Sequence, residues 1–155
     1  MPQQSQGLDP AKSGGPYIQA AAFCEYVLEE KDKTLSLIRI IDTVTQSMQI
    51  TSGEPPKEFP PLACRLKLVL MFKSGEAMGS HQLKVTPILP TGETKAPFVQ
   101  TLYFEGDEKG ANLVLDFGFT FTYEGLYWFD IHINDLLATR LPLRLKREFS
   151  VLPSR

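Results

Sequence analysis

The sequence has few of the residues from which catalytic and metal sites are usually built. It holds two cysteines and two histidines in 155 residues. It has no Gly-x-Ser-x-Gly motif, so any nucleophile with a histidine base would depend on His81 or His132. It also has no glycine-rich loop leading into a helix, which is a common phosphate-binding site. These absences predict a protein that is not an enzyme and uses no cofactor and no metal.

Long apolar runs and a strong charge of one sign are missing as well. No stretch is long and uncharged enough to span a bilayer, and residues 1–16 lack the apolar core of a signal peptide. The expectation is a cytoplasmic protein without membrane contact. The formal net charge of −2 gives no general attraction to nucleic acid. Cys24 and Cys64 are predicted to be buried thiols, and a disulfide between them is the alternative for an exported protein.

No segment shows the 3.6-residue apolar period of a helix, whereas alternation with a period of two recurs along the chain. The pattern predicts an all-β protein, an antiparallel β-sandwich of about eight strands. The β-sandwich domain is predicted over residues 17–147, between a disordered N-terminal tail at 1–16 and a C-terminal tail at 148–155. Residues 42–49 are interpreted as a polar extension of the second strand. The proline-rich residues 53–62 are interpreted as a loop that crosses between sheets.

The clearest alternation lies in residues 112–147, where three segments follow one another closely. They predict a β-meander with one apolar face, and such a face must be buried against a second sheet. The positions predicted to face inward are Leu113, Leu115, Phe117, Phe119 and Phe121, then Tyr127, Phe129, Ile131 and Ile133, then Leu137, Thr139, Leu141, Leu143 and Leu145.

The turn before Tyr127 contains Gly125, and this spacing resembles the strand-entry corner of immunoglobulin-like domains. In that corner the tyrosine hydroxyl bonds to backbone a few residues upstream. Residues 23–145 also resemble a bacterial family of unknown function. The resemblance implies an immunoglobulin-like β-sandwich and no established activity. The residues that carry it are Leu37-Ile-Arg-Ile-Ile-Asp42, Phe59-Pro60, Gly79-x-His81-x-Leu83-x-Val85, Thr91-Gly92, Gly125-x-Tyr127 and Leu141-Pro-Leu143.

Trp128 is the only tryptophan, and the alternation turns it outward together with Leu126. Large outward rings often anchor protein interfaces. The neighbours predicted on the same side of adjacent strands are Thr120, Thr122, Ala138 and Arg140. The predicted function is a non-enzymatic protein-binding or assembly module whose binding residues are Trp128, Leu126 and Arg140. The partner is another protein or a second copy of the chain.

Three alternatives remain open for these residues. Trp128 could form a stacking platform for a small molecule or carbohydrate, or the chain could be an uncharacterised enzyme. The ring could also be buried beneath the loop at residues 53–62, which would give it a structural role. Melting temperature and association, measured together on one variant, would separate the interface from the structural role.

Two polar groups complete the candidates. Asp130, His132 and Asn134 alternate on one face of a strand, where side chains two residues apart can converge on an ion; a solvated face is favoured. Arg140, Arg144 and Lys146 project together from the last strand, with Arg147 following. This basic stripe is interpreted as a solvated face rather than a phosphate site.

His81 shares a face with Leu83 and Val85 and is predicted to be a hydrogen-bonded histidine at the rim of the core.

Overall fold

The structure is a computed structural model that describes residues 14–51, 53–54, 56–107 and 109–153. Most of the predicted N-terminal tail, residues 1–13, lies outside the described residues. None of the described residues form a helix that is long and apolar enough to cross a membrane. They form nine strands: β1 Tyr17–Glu29, β2 Leu35–Ile41, β3 Thr43–Ile50, β4 Leu62–Lys73, β5 Gly79–Ile88, β6 Phe98–Phe104, β7 Gly110–Phe121, β8 Gly125–Ile133 and β9 Leu136–Val151.

The strands make two sheets that pack face to face. The four-stranded sheet has the order β2-β1-β4-β7, and the five-stranded sheet has the order β3-β9-β8-β5-β6. Neighbouring strands are antiparallel except for β3 and β9, which run parallel. Because successive side chains point to opposite faces of a strand, each strand contributes alternate residues to the space between the sheets. The predicted all-β sandwich is confirmed.

Aromatic rings from both sheets fill the centre of the sandwich. Phe119 of β7 meets Tyr127 and Phe129 of β8 with ring centroids 5.6 and 5.3 Å apart, in edge-on orientations. Tyr127 and Phe129 have no exposed surface. Edge-to-face contacts are a favoured geometry for such rings and add to the free energy of burial. The inward assignment of these residues is therefore confirmed.

A tyrosine corner marks the point at which the chain passes from one sheet to the other. The Tyr127 hydroxyl donates to the Tyr123 carbonyl oxygen at 2.7 Å and accepts from the Tyr123 amide at 2.9 Å. Gly125 has a φ of 132°, and an added Cβ would lie 3.1 Å from Pro90. The predicted corner is confirmed. Together with the two sheets, it makes the fold an immunoglobulin-like β-sandwich.

The predicted β-meander over residues 112–147 is wrong in its pairing. β7 pairs with β4 along its length, while β8 pairs with β5 and β9. The corner carries the chain across the sandwich, so Thr120 belongs to the opposite sheet and Thr122 directly follows that strand. Neither residue is a strand neighbour of Trp128. Leu137 is 52% exposed rather than inward. The cause is a register shift between Ile131 and His132, which pairs His132 with Leu137.

Residues 42–49 do not extend β2. They cross at Asp42 and form β3, a separate strand of the five-stranded sheet, which accounts for the ninth strand. Its inner position Gln46 is polar yet buried, and its amide nitrogen donates to the Pro60 carbonyl at 2.9 Å. β9 continues past Arg147 into the segment predicted as a C-terminal tail, because it pairs with β3 as far as Val151.

Candidate binding surfaces

Trp128 lies on the outer face of the five-stranded sheet, in the central part of β8. β8 runs between β5 and β9, and the pairing register places Ile88 on one side of Trp128 and Pro142 on the other. Leu126 precedes it on the same face of the strand. Trp128 and Leu126 are both half-buried. These four side chains form a small apolar centre that remains accessible from outside.

Arg140 covers part of the indole. Its guanidinium carbon lies 5.2 Å from the ring centroid of Trp128, within cation–π distance. Its Nε also donates to Oδ1 of Asp130 at 2.7 Å. The Asp130 side chain is 16% exposed and the Arg140 side chain is 48% exposed. The more buried carboxylate of Asp130 therefore holds the arginine against the sheet. We define the Trp128 surface as Ile88, Leu126, Trp128, Asp130, Arg140 and Pro142. It joins the three predicted binding residues, Trp128, Leu126 and Arg140.

The proline-rich loop that could have buried Trp128 has its observed contacts elsewhere. Within its described residues, Phe59 lies under the Arg147 guanidinium with 4.7 Å between guanidinium carbon and ring centroid. The Pro60 carbonyl accepts from Gln46. Gln46 and Arg147 are paired positions of β3 and β9 on the inner side of the five-stranded sheet. The loop crosses between the sheets, as predicted, and its contacts lie on the side opposite to Trp128.

The predicted basic stripe on β9 is largely neutralised. Lys146 lies 2.9 Å from Glu148, and the hydrogen bond to that carboxylate raises the pKa of Lys146. Arg140 is paired with Asp130. Arg147 points to the other side, where its Nε donates to the Gln46 side chain at 3.0 Å. Among the four basic residues, Arg144 is therefore the exposed cation that has no ionic partner in the described part of the chain.

The group of Asp130, His132 and Asn134 does not come together. Asp130 is held by Arg140 on the outer face, and Asn134 sits in the β8–β9 turn with a φ of 47°. Nδ1 of His132 is enclosed and lacks a hydrogen-bond partner among the described residues. Across the described part of the chain, no three His, Cys, Asp or Glu side chains are grouped so that they could hold a metal ion.

His81 occupies the rim of the core, as predicted. Its ring packs edge-on against Phe104 with centroids 5.2 Å apart. Nδ1 lies 2.6 Å from the Asn134 side-chain amide, and Nε2 lies 3.2 Å from the Met78 carbonyl oxygen. This network assigns Nδ1 as the acceptor and Nε2 as the donor. Because both nitrogens are engaged, His81 joins the β4–β5 and β8–β9 turns.

Cys24 and Cys64 are both free. Cys24 is opposite Lys67 on the outer face of the four-stranded sheet, whereas Cys64 packs against the core on the inner face. Burial raises the pKa of both thiols. The disulfide alternative is wrong, because the two side chains lie on opposite faces of the sheet.

An exposed apolar group on the β1–β2 hairpin was not singled out from the sequence. Tyr26, Leu28, Ile38 and Ile40 are 62%, 52%, 39% and 64% exposed. Tyr26 is paired with Ile38 on the outer face of the β1–β2 hairpin. The available signal was that β1 is apolar on both of its faces, which a strand with one solvated face does not require. We call these four residues the hairpin patch.

Comparisons with known proteins place the chain in a family. No curated protein matched it. Among solved structures it is similar to an immunoglobulin-like protein from Pseudomonas aeruginosa, with 12% sequence identity, a TM-score of 0.41, and coverage of 85% of this chain and 97% of that one. The model of DUF6941, a family of unknown function, matches residues 19–146. That match confirms the resemblance to a family of unknown function, and the chain belongs to the DUF6941 family.

Proposed function

We propose that this domain is a non-enzymatic binding module that contacts another protein, or a second copy of itself, through the Trp128 surface. The observation that carries the proposal is the arrangement around Trp128. A half-buried indole sits between Ile88 and Pro142, and the Asp130–Arg140 pair borders it. Protein interfaces commonly have such an aromatic and apolar centre with polar groups at its rim.

The position of Arg140 supports a protein partner over a carbohydrate. A sugar that stacks on tryptophan needs an open ring face, and the Arg140 guanidinium already lies over the indole. In a protein interface the same arginine can keep its contact and bond to the partner, which fits the enrichment of Trp and Arg at interface centres. The non-enzymatic role is supported by His81, whose two ring nitrogens are engaged in joining turns.

Affinity purification from the native cell tests this proposal when it is done with matched variants. Trp128→Ala removes the ring, and Tyr103→Ala removes a 68% exposed ring on β6 of the same sheet. We expect Trp128→Ala to lose at least about 2 kcal/mol of binding, a factor of about 30. Tyr103→Ala should retain the partner. Sedimentation analysis of the same proteins measures whether they self-associate.

The proposal fails if Trp128→Ala keeps the parent's partner and association state. It also fails if Trp128→Ala loses stability to the same extent as it loses binding, because the ring would then be part of the fold. A bacterial origin and a cytoplasmic location remain predictions from the sequence. A reducing compartment is consistent with the half-buried thiol of Cys64.

A further inference from the structure

A cleft opens in the four-stranded sheet where β1 stops pairing with β4. β4 pairs with β7 along its whole length, but only its residues 67–73 pair with β1. After Cys24, β1 leaves β4 and continues with β2. Residues 62–66 therefore have a strand neighbour on one side only. In an antiparallel sheet alternate residues direct their N–H and C=O groups to each side, so this segment offers backbone groups to the cleft.

The cleft is large enough for part of an extended peptide. Its volume is about 580 Å³, within the range of roughly 300 to 1,000 Å³ typical of ligand sites. Ile41, Val44 and Leu66 line it with apolar surface, and each of them packs against the core. Tyr26 of the hairpin patch also lines it. The cleft thus combines an unfinished strand edge with an apolar wall.

Arg65 supplies the cleft with a positive charge that has no described ion pair. The other arginine in the cleft, Arg39, is paired with Glu25 at 2.9 Å. Asp116 lies on the neighbouring strand, where its hydrogen bond from Lys67 lowers the pKa of the carboxyl and Arg65 adds a smaller effect. Because Lys67 already binds this carboxylate, Arg65 remains available to an acidic ligand.

The alternation of β4 specifies what a strand in the cleft would present. Cys64 and Leu66 face inward, and Arg65 faces outward between them. On the opposite edge of β4, β7 places Phe117 opposite Leu66 and Phe119 opposite Cys64. A strand added in the cleft would likewise place apolar side chains beside the two inward residues. Its intervening residue would face Arg65.

We propose that this cleft binds an extended peptide that adds to β4 as a strand and carries an apolar–acidic–apolar pattern. Main-chain hydrogen bonds to residues 62–66 would provide affinity, and the alternate side chains would provide specificity, as in other cases of strand addition. The β4 edge belongs to the four-stranded sheet, whereas the Trp128 surface lies on the outer face of the five-stranded sheet. The site therefore does not depend on the Trp128 surface. It gives the domain a second way to hold a protein partner.

Peptide selection tests the charge pattern directly. A phage-displayed library of random peptides is selected separately on the parent protein, on Arg65→Glu and on Arg144→Glu, an exposed control on the other sheet. We expect an apolar–acidic–apolar consensus from the parent and from the control, and an apolar–basic–apolar consensus from Arg65→Glu. Thermal melting of the variants verifies that they fold. The absence of a consensus from the parent, or the same acidic consensus from Arg65→Glu, would overturn the proposal.

Hydrogen exchange then locates a synthetic copy of the selected peptide. The amides of residues 62–66 that face the cleft should exchange more slowly in its presence. N-methylation of one peptide amide that faces β4 should weaken binding about tenfold, since it removes one main-chain hydrogen bond. Protection confined to the Trp128 surface would overturn this site while leaving the proposed function intact.

Discussion

The tyrosine corner can be tested by removing one oxygen atom. Tyr127→Phe keeps a ring that has no exposed surface, and that ring packs against Phe121 with centroids 4.9 Å apart. It removes the two hydrogen bonds that the hydroxyl makes to the backbone of Tyr123. A typical hydrogen bond contributes about 0.5 to 1.5 kcal/mol net. Tyr123 is 44% exposed, so water can satisfy part of what is lost. We expect a total cost of about 1 to 2 kcal/mol.

Urea denaturation and thermal melting followed by circular dichroism measure this cost. For a chain of this size, 1 kcal/mol corresponds to roughly 2 to 4 °C in melting temperature. Tyr127→Phe should therefore melt about 2 to 8 °C below the parent. Tyr103→Phe, on an exposed tyrosine, should change stability by less than about 0.5 kcal/mol. If Tyr127→Phe is as stable as the parent, the hydroxyl does not hold the corner and the reasoning is refuted.

Three further predictions address the core, the crossing and the thiols. Phe119→Ala should lower the free energy of unfolding by about 3 to 5 kcal/mol in chemical denaturation, because it removes a ring that contacts both sheets. Thr120→Ala, on the exposed face, should lower it much less. Equal losses of stability would show that the inward and outward faces of β7 are assigned wrongly. Gly125→Ala should cost about 1 to 3 kcal/mol, since its φ of 132° is strained for any residue with a Cβ; an unchanged melting temperature would exclude that strain. A thiol reagent at neutral pH should modify half-buried Cys64 before Cys24, which has no exposed surface. Burial raises the pKa of both thiols, so both are mostly protonated at neutral pH and both reactions should accelerate as the pH rises. Equal rates in the folded protein would contradict this order.

The local parts of the fold could be predicted from the sequence because their signals are local. Alternation identified β8 and the inward residues of β7, and the spacing of Gly125 and Tyr127 identified the corner. The same corner carried information that the meander prediction did not use. In immunoglobulin-like domains this corner precedes a strand of the opposite sheet, so β7 and β8 could have been assigned to different sheets.

β3 was not predicted from the sequence, because the residues that stabilise it lie far from it along the chain. β3 reads as polar partly because its inner face includes Gln46. That side chain is buried because Pro60 and Arg147 satisfy its amide. β3 also pairs in parallel with β9, whose partner positions lie about a hundred residues further along the chain. Periodicity within one segment does not reveal such a partner.

The candidate surfaces were predicted in part. The sequence placed Trp128 and Leu126 on one outward face, and the structure adds Asp130 as the anchor of Arg140. The cleft beside β4 could not be predicted, because it depends on where two paired strands separate. The residues of each strand give no sign of where the two strands separate, and only the register between β1 and β4 shows that their pairing ends at Cys24.

Fluorine NMR of protein labelled with fluorotryptophan tests the central claim most directly. Trp128 is the only tryptophan, so the spectrum reports on the proposed surface alone, and an unlabelled partner adds no signal. The complex recovered by affinity purification, or the self-associated protein at high concentration, is compared with the free monomer. We predict that the Trp128 resonance shifts on association and loses its sensitivity to exchange of the solvent from water to deuterium oxide. An unchanged resonance in a fully formed complex would contradict the assignment of the Trp128 surface as the binding site.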